Sequence, residues 1–247
     1  MKGIIDSAPD ISKIDVTPTG YSTTVLAANG EETATLVGQG ANRQYVTIDE
    51  IPLDLQHAFV AIEDERFYDH NGIDLHGIGR AFISGLSKGR FSEGASTITQ
   101  QLIKNNVLTS WTSETSFVEK LQRKIQEQYL ALELEKQVND KDWILENYMN
   151  SVNLGANTLG VQAASKKYFN KDVSELTLSE ASVIAGITQN PSGYNPITHP
   201  DKNAKRREKV LNNMKDQAIS PRRNMMRPWP MMSTQELLST TPQAQAL

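Results

Sequence analysis

Two glutamates and three basic residues stand at spacings that suit a group-transfer reaction. Glu63 opens the run Glu63-Asp64-Glu65-Arg66-Phe67-Tyr68-Asp69-His70-Asn71-Gly72. Behind Pro52, residues Leu55, Ala58, Phe59 and Ile62 recur at three- and four-residue spacing, so Glu63 falls one turn beyond Phe59 at the border of an apolar helical stripe. A carboxylate drawn partly out of water keeps its proton to higher pH, which suits it to proton transfer near neutrality. The position equally fits a rim glutamate paired with Arg66. Glu127 follows Arg123 by four residues and Lys124 by three, so the three head groups share one helix face. Such a triplet is either a solvated salt-bridge face or, with Ala131 and Leu134 beside it, the wall of a cleft. Glycosyl transfer commonly uses two carboxylates, one for the proton of the incoming oxygen and one to steady developing charge. Lys104, Arg123 and Lys124 would meet the negative charge of a departing phosphate.

A second group surrounds a helix start. Gly94-Ala95-Ser96-Thr97-Ile98-Thr99-Gln100-Gln101 reads as a glycine turn, a hydroxyl cap and a first helical turn. Unpaired N–H groups there are either simply capped or offered to an anion such as pyrophosphate. Gln100, Gln101 and Lys104 are more polar than a buried helix tolerates without reason.

The elements that must position these groups are mostly helical. From Pro52 onward the pattern is helical with short loops, and a helix from Phe117 to Glu135 puts Phe117, Leu121, Ile125, Tyr129 and Leu132 on one side and Leu130, Ala131 and Leu134 on another. Before it, β-prone runs around Asn29-Gly30, with a third at Tyr45 to Ile48, predict an N-terminal linker and a short β-hairpin over residues 1–48. The main domain is expected over 49–220. Ile73 to Phe91 carries four glycines among apolar and basic residues, and reads as a mobile loop with a short core helix or as an amphipathic flap touching a lipidic surface. Glu180 reads as structural. The last 27 residues hold four of the seven methionines and four of the ten prolines without any period, so 221–247 is expected to be a disordered tail foreign to the domain.

Composition narrows the function. Apolar content of 38% and 22% charge describe an ordinary globular chain, and a net charge of -4 argues against a nucleic-acid partner. With no cysteine there is neither a disulfide scaffold nor a thiol nucleophile, and the four histidines show no metal-binding spacing. No run approaches the roughly 18 apolar residues of a membrane span.

Five blocks stand in order: Glu63-Asp64-x-x-Phe67-x-x-His70-x-Gly72, Gly94-x-Ser96-Thr97-Ile98-Thr99-Gln100-Gln101, Arg123-Lys124-x-x-Glu127, Ile144-Leu145-Glu146-x-Tyr148-x-Asn150 and Gln189-x-Pro191-Ser192-x-Tyr194-Asn195-Pro196. Together, over about Val46 to Met214, they resemble the peptidoglycan glycosyltransferase domain of class A penicillin-binding proteins and monofunctional glycosyltransferases, glycosyltransferase family 51. The resemblance implies a mainly α, lysozyme-like fold with a head and a smaller membrane-facing jaw beginning near Ile73. It implies polymerisation of lipid II, with lipid-linked glycan as donor and undecaprenyl pyrophosphate released with inversion. Glu63 would be the general base, and Glu127 would order the donor site. Lys104, Arg123 and Lys124 would hold the pyrophosphate or a moenomycin-type inhibitor. Ser96, Thr97, Gln100 and Gln101 would line the donor subsite, with Asp64, Phe67 and His70 also on the substrate side.

No cofactor is obligatory by this resemblance, with magnesium or manganese as an optional ion and no protein metal site. The implied setting is the outer face of the cytoplasmic membrane in a bacterial envelope, beside other cell-wall synthesis proteins. Three departures stand out. Glu119, followed by Lys120, takes the place of an arginine that many relatives carry one turn before the Arg-Lys pair. The start has too short an apolar run for the usual anchor, so a domain cut just after its anchor is expected. No Ser-x-x-Lys or Lys-Thr-Gly for a transpeptidase occurs. The rival readings are a lysozyme-like glycan-cleaving enzyme and an inactive fragment that binds lipid II.

Overall fold

The computed structural model describes residues 2–11, 15–30, 32–36, 42–80, 96–108 and 114–219. The expected tail at 221–247, residues 81–91 of the amphipathic segment, and Gly94 and Ala95 lie outside them. The described chain is mainly helical. Its elements are α1 (Lys2–Asp6), β1 (Thr23–Leu26), β2 (Glu32–Leu36), a 3-10 turn (Ile48–Glu50), α2 (Leu53–Glu63), α3 (Ile98–Asn106), α4 (Phe117–Val138), α5 (Lys141–Ser151), α6 (Val161–Phe169), a 3-10 turn (Val173–Glu175), α7 (Leu178–Ile187) and α8 (Pro200–Ile219). A further helical turn covers 75–80. The chain divides into two compact units, residues 1–18 with 66–151 and residues 19–65 with 152–247.

In the first unit α3 packs against both α4 and α5. Ile98, Leu102 and Ile103 of α3, Leu130 and Ala131 of α4, and Ile144, Leu145, Tyr148 and Met149 of α5 are fully buried. Helix α4 starts at a capping box in which Ser116 accepts from the Glu119 N–H and Glu119 accepts from the Ser116 N–H. Glu119 thus closes the helix start, and those N–H bonds hold its carboxyl below its ordinary value. Left-handed Asn139, φ 48°, ends the helix.

The expected apolar side of α4 needs correction. Phe117, Val118, Leu121 and Leu132 are exposed, and the covered face is Glu127, Leu130, Ala131 and Leu134. For Phe117, Val118 and Leu121 length is the reason: α4 has 22 residues, about 33 Å, whereas α3, which packs on it, has 9 and covers only part of its length.

Polar ties hold the Phe67–Gly72 loop to this core. Thr97 Oγ1 donates to the Gly72 carbonyl at 2.7 Å, and Lys141 Nζ donates to the His70 carbonyl at 2.6 Å and to Glu135. Thr99 Oγ1 also donates to Glu135, at 2.5 Å. Gly72 has φ +87°, and a Cβ there would come within 2.6 Å of the Ala131 carbonyl oxygen. Gly72→Ala is therefore expected to destabilise by roughly 2–4 kcal/mol, from left-handed strain plus a backbone clash. Urea unfolding midpoints measure this; an unchanged midpoint would contradict the packing.

Arg66 forms a two-point pair with Asp74, which also accepts from the Gly77 N–H at 2.9 Å. Burial pushes the Asp74 carboxyl up, but these bonds and the Arg66 charge outweigh it and leave the group below its ordinary value of 3.8. A depressed carboxyl stabilises the fold at pH above its unfolded value, and that stability is lost as pH falls through the lower folded value. Asp74→Asn is thus expected to lower the melting temperature at neutral pH, with the gap to wild type closing below about pH 3.8. A gap that stayed constant down to acid pH would remove the pair's charge from the account.

In the second unit α2, α7 and α8 pack against one another. Of the expected stripe of α2, Leu55, Ala58 and Phe59 are fully buried and Ile62 is half-buried; Ala181, Ile184, Ala185 and Val210 are fully buried as well. Val60 and Ala61 are buried too, so α2 is covered more widely than one stripe. Asn213 and Gln217 of α8 both donate to the Ala61 carbonyl near the end of α2. Glu180 caps α7 through Thr177 and accepts from Lys171 at 2.8 and 3.1 Å. That structural role was expected without its partner.

Strands β1 and β2 pair antiparallel with a register shift after Val25. The turn closes through Gly30 N–H to Ala27 carbonyl, and Gly30 alone among its described residues is left-handed, at φ +86°. The Asn-Gly pair therefore does not form a two-residue loop; it sits at the end of a longer one. Tyr45 to Thr47 carries no strand, because Thr47 and Glu50 form a capping box that turns the chain into the 3-10 turn.

Candidate active site

In the first unit the basic face of α4 and the start of α3 converge. Glu127 is the eleventh residue of α4 and is buried, with a side chain 1% exposed. It accepts from both neighbours chosen by helical spacing: Arg123 Nη1 on Oε1, and Lys124 Nζ on Oε2 at 2.7 Å. Lys124 Nζ also donates to Ser96 Oγ at 2.6 Å, which ties α4 to the residue just before the Thr97 cap. Arg123 Nε donates at 2.8 Å to both oxygens of Glu114, a residue that spacing did not single out. Burial works against the Arg123 charge, yet the bonds and charges of Glu114 and Glu127 outweigh it and hold its pKa above the ordinary value. Glu127 thus satisfies the rule that a buried charge must be paired and hydrogen-bonded.

The remaining expected residues of this unit divide by burial. Thr97 and Gln100 are buried and close a capping box on α3, with the Gln100 Oε1 accepting from the Thr97 N–H. That leaves Gln100 Nε2 buried with no acceptor among the described residues. Gln101 is half-buried and accepts from the Tyr148 hydroxyl at 3.0 Å. Lys104 is half-buried in the last turn of α3. Phe67 is fully buried, edge-on to Tyr68 and under Lys141 Nζ at 4.5 Å, and His70 engages Lys141 through its backbone carbonyl.

Glu63 and Asp64 belong to the second unit. Glu63, the last residue of α2, is half-buried, and the Thr188 hydroxyl donates to its Oε1. Thr188 sits at the end of α7, where its Oγ1 is also 3.0 Å from the Ala185 carbonyl. Asp64 is buried at the C-cap of α2, its N–H bonded to the Val60 carbonyl. Arg66, the alternative partner for Glu63, is engaged with Asp74.

Sequence reasoning missed Glu114, Thr188 and the Glu135–Lys141 pair. Thr188 adjoins the Gln189-x-Pro191-Ser192 block, so its place was signalled although its partner 125 positions away was not. The chemistry available is a half-buried carboxylate with a hydroxyl partner in one unit, and in the other a carboxylate that orders two cations beside a helix start.

Among the described residues no helix is long and apolar enough to cross a membrane. A transglycosylase family model matches residues 29–215, which take in both glutamates. Penicillin-binding protein 1F of Bacillus subtilis strain 168 is 45% identical over 196 residues, 79% of this chain and 26% of that protein. Penicillin-binding protein 1A of Escherichia coli K12 is 42% identical over 211 residues, 85% of this chain and 23% of that protein. The chain spans about a quarter of the length of these curated relatives. A crystal structure of penicillin-binding protein 1A from Haemophilus influenzae aligns with 93% of this chain and 21% of that one at 22% identity and a TM-score of 0.46, too low to bear on the fold. By the family match and these identities, the chain belongs to the transglycosylase family, glycosyltransferase family 51, with class A penicillin-binding proteins as its relatives.

Proposed function

We propose that the chain is a peptidoglycan glycosyltransferase that polymerises lipid II into β-1,4 glycan strands. Family membership supports the reaction class, and the Glu127 cluster carries the choice of leaving group: Arg123 and Lys124 on one helix face, ordered by a buried carboxylate, suit a diphosphate. In this reading Glu63 takes the proton from the 4-hydroxyl of the acceptor sugar as that oxygen attacks the anomeric carbon of the lipid-linked donor. The bond from that carbon to the diphosphate breaks, the configuration inverts, and the diphosphate departs toward Lys104, Arg123 and Lys124. Thr188 orients Glu63 through its hydroxyl. Ser96, Thr97, Gln100 and Gln101 frame the donor side, the spare Gln100 amide being a donor for a sugar or phosphate oxygen. Asp64, Phe67 and His70 support the loop that follows Glu63.

Glu127 is committed to two cations, and among the described residues no group of three His, Asp or Glu could hold a metal. No step above depends on a divalent ion. The proposed setting is the outer face of a bacterial cytoplasmic membrane, where a membrane-facing jaw of a lysozyme-like domain would meet lipid-linked substrate, moenomycin-type inhibitors and other cell-wall synthesis proteins. The test is incubation of the purified chain with lipid II in detergent, with and without magnesium and moenomycin. Glycan polymer that moenomycin suppresses supports the proposal. Loss of preformed glycan without polymer supports cleavage instead, and binding without turnover supports an inactive fragment.

A further inference from the structure

Arg123 is claimed by two carboxylates. Its Nε donates to both Glu114 oxygens at 2.8 Å and its Nη1 to Glu127, while Nη2 has no partner among the described residues. Counting unit charges, Glu114, Arg123, Lys124 and Glu127 sum to zero. With both acids paired, little net positive charge is left around Arg123 and Lys124, so their pull on a diphosphate is weakened until one acid gives way. Glu127 is poorly suited to do so, being 1% exposed and held at both oxygens. Glu114 is 12% exposed and its one described partner is Arg123, so it is the acid that can turn aside. Its backbone is steadied by the α4 cap, where Thr115 and Ser116 N–H groups both donate to Glu119 at 3.0 Å, so the carboxylate can leave and return without refolding the helix start.

We propose that Glu114 is a positioning residue that acts as an internal stand-in for the diphosphate. It covers Arg123 when the leaving-group site is empty, yields it to the incoming diphosphate and reclaims it to speed release. This rests on the diphosphate reading above and adds to it a residue outside the five sequence blocks. The exchange makes and breaks only ion pairs, so no covalent or redox partner is needed.

Removing the competing charge should tighten anion binding. With inorganic pyrophosphate as probe in calorimetry on the full chain, Glu114→Gln is expected to lower Kd about ten-fold, as expected for one charge near a partly hydrated pair. In lipid II turnover the same variant should lower KM and kcat together, because the diphosphate is held better and released more slowly. Glu114→Asp, which keeps the charge with a shorter reach, should tighten pyrophosphate binding by less, and it provides the measurement if Glu114→Gln does not fold. A residue that merely propped up Arg123 would weaken binding on removal. Unchanged or weaker pyrophosphate binding in the folded variants therefore overturns the proposal. If the wild type itself binds no pyrophosphate, the diphosphate site falls first, and this inference with it.

Discussion

Glu63→Gln is expected to reduce lipid II polymerisation by about 10²–10⁴-fold, the range for losing a positioned general base, while leaving the fold intact. The side chain is half-buried at the end of α2 and accepts from the Thr188 hydroxyl. Glutamine keeps an accepting oxygen, the volume and the helix end, and loses the charge and with it the capacity to take a proton. The effect should appear in kcat with KM little changed, because proton removal belongs to the transition state rather than to substrate binding. Pyrophosphate affinity should also stay, since the proposed diphosphate ligands lie on α3 and α4. Steady-state rates, melting temperature and calorimetry on one protein preparation measure all three. A rate within ten-fold of wild type in a folded Glu63→Gln protein would take the base role from Glu63.

Glu127→Gln is expected to differ in kind, costing both stability and rate. Its carboxylate is buried and bonded by Arg123 and Lys124, so its neutral amide leaves two cations side by side with Glu114 and Ser96 as their remaining described partners. Breaking a buried pair typically costs about 3–5 kcal/mol. Here roughly 2–3 kcal/mol is expected, because the Lys124 side chain is 41% exposed and can turn to water. The rate should fall by about 10²-fold as the cations lose the geometry that meets a departing anion. The pair of variants thus separates the groups: loss of rate alone for Glu63, loss of rate and unfolding free energy together for Glu127. A Glu127→Gln protein with wild-type stability would mean that the two cations do not depend on this carboxylate.

Much of the site was legible because local periodicity determines it. Arg123, Lys124 and Glu127 meet because residues three and four apart on a helix are neighbours, and Thr97 with Gln100 reads directly as a cap. The buried stripe of α2 follows from the same spacing. What could not be read was set by elements distant in sequence. Glu114 reaches Arg123 across the helix cap, outside any repeat of the helix. Thr188 finds Glu63 through the packing of α7 on α2. Lys141 bonds Glu135 across the left-handed turn at Asn139, where helical spacing no longer applies. The misplaced stripe at Phe117 and Leu121 has the converse cause: periodicity says which residues share a face, whereas the length of the neighbouring helices decides how much of it is covered. The role of Glu119 and the partners of Glu180 likewise rest on contacts at their helix starts.

The most direct measurement of the central claim is the ratio of undecaprenyl diphosphate released to glycosidic bonds formed during lipid II turnover by the purified chain. The account predicts one diphosphate for each new bond throughout the time course. New or broken glycosidic bonds without matching diphosphate release would contradict it.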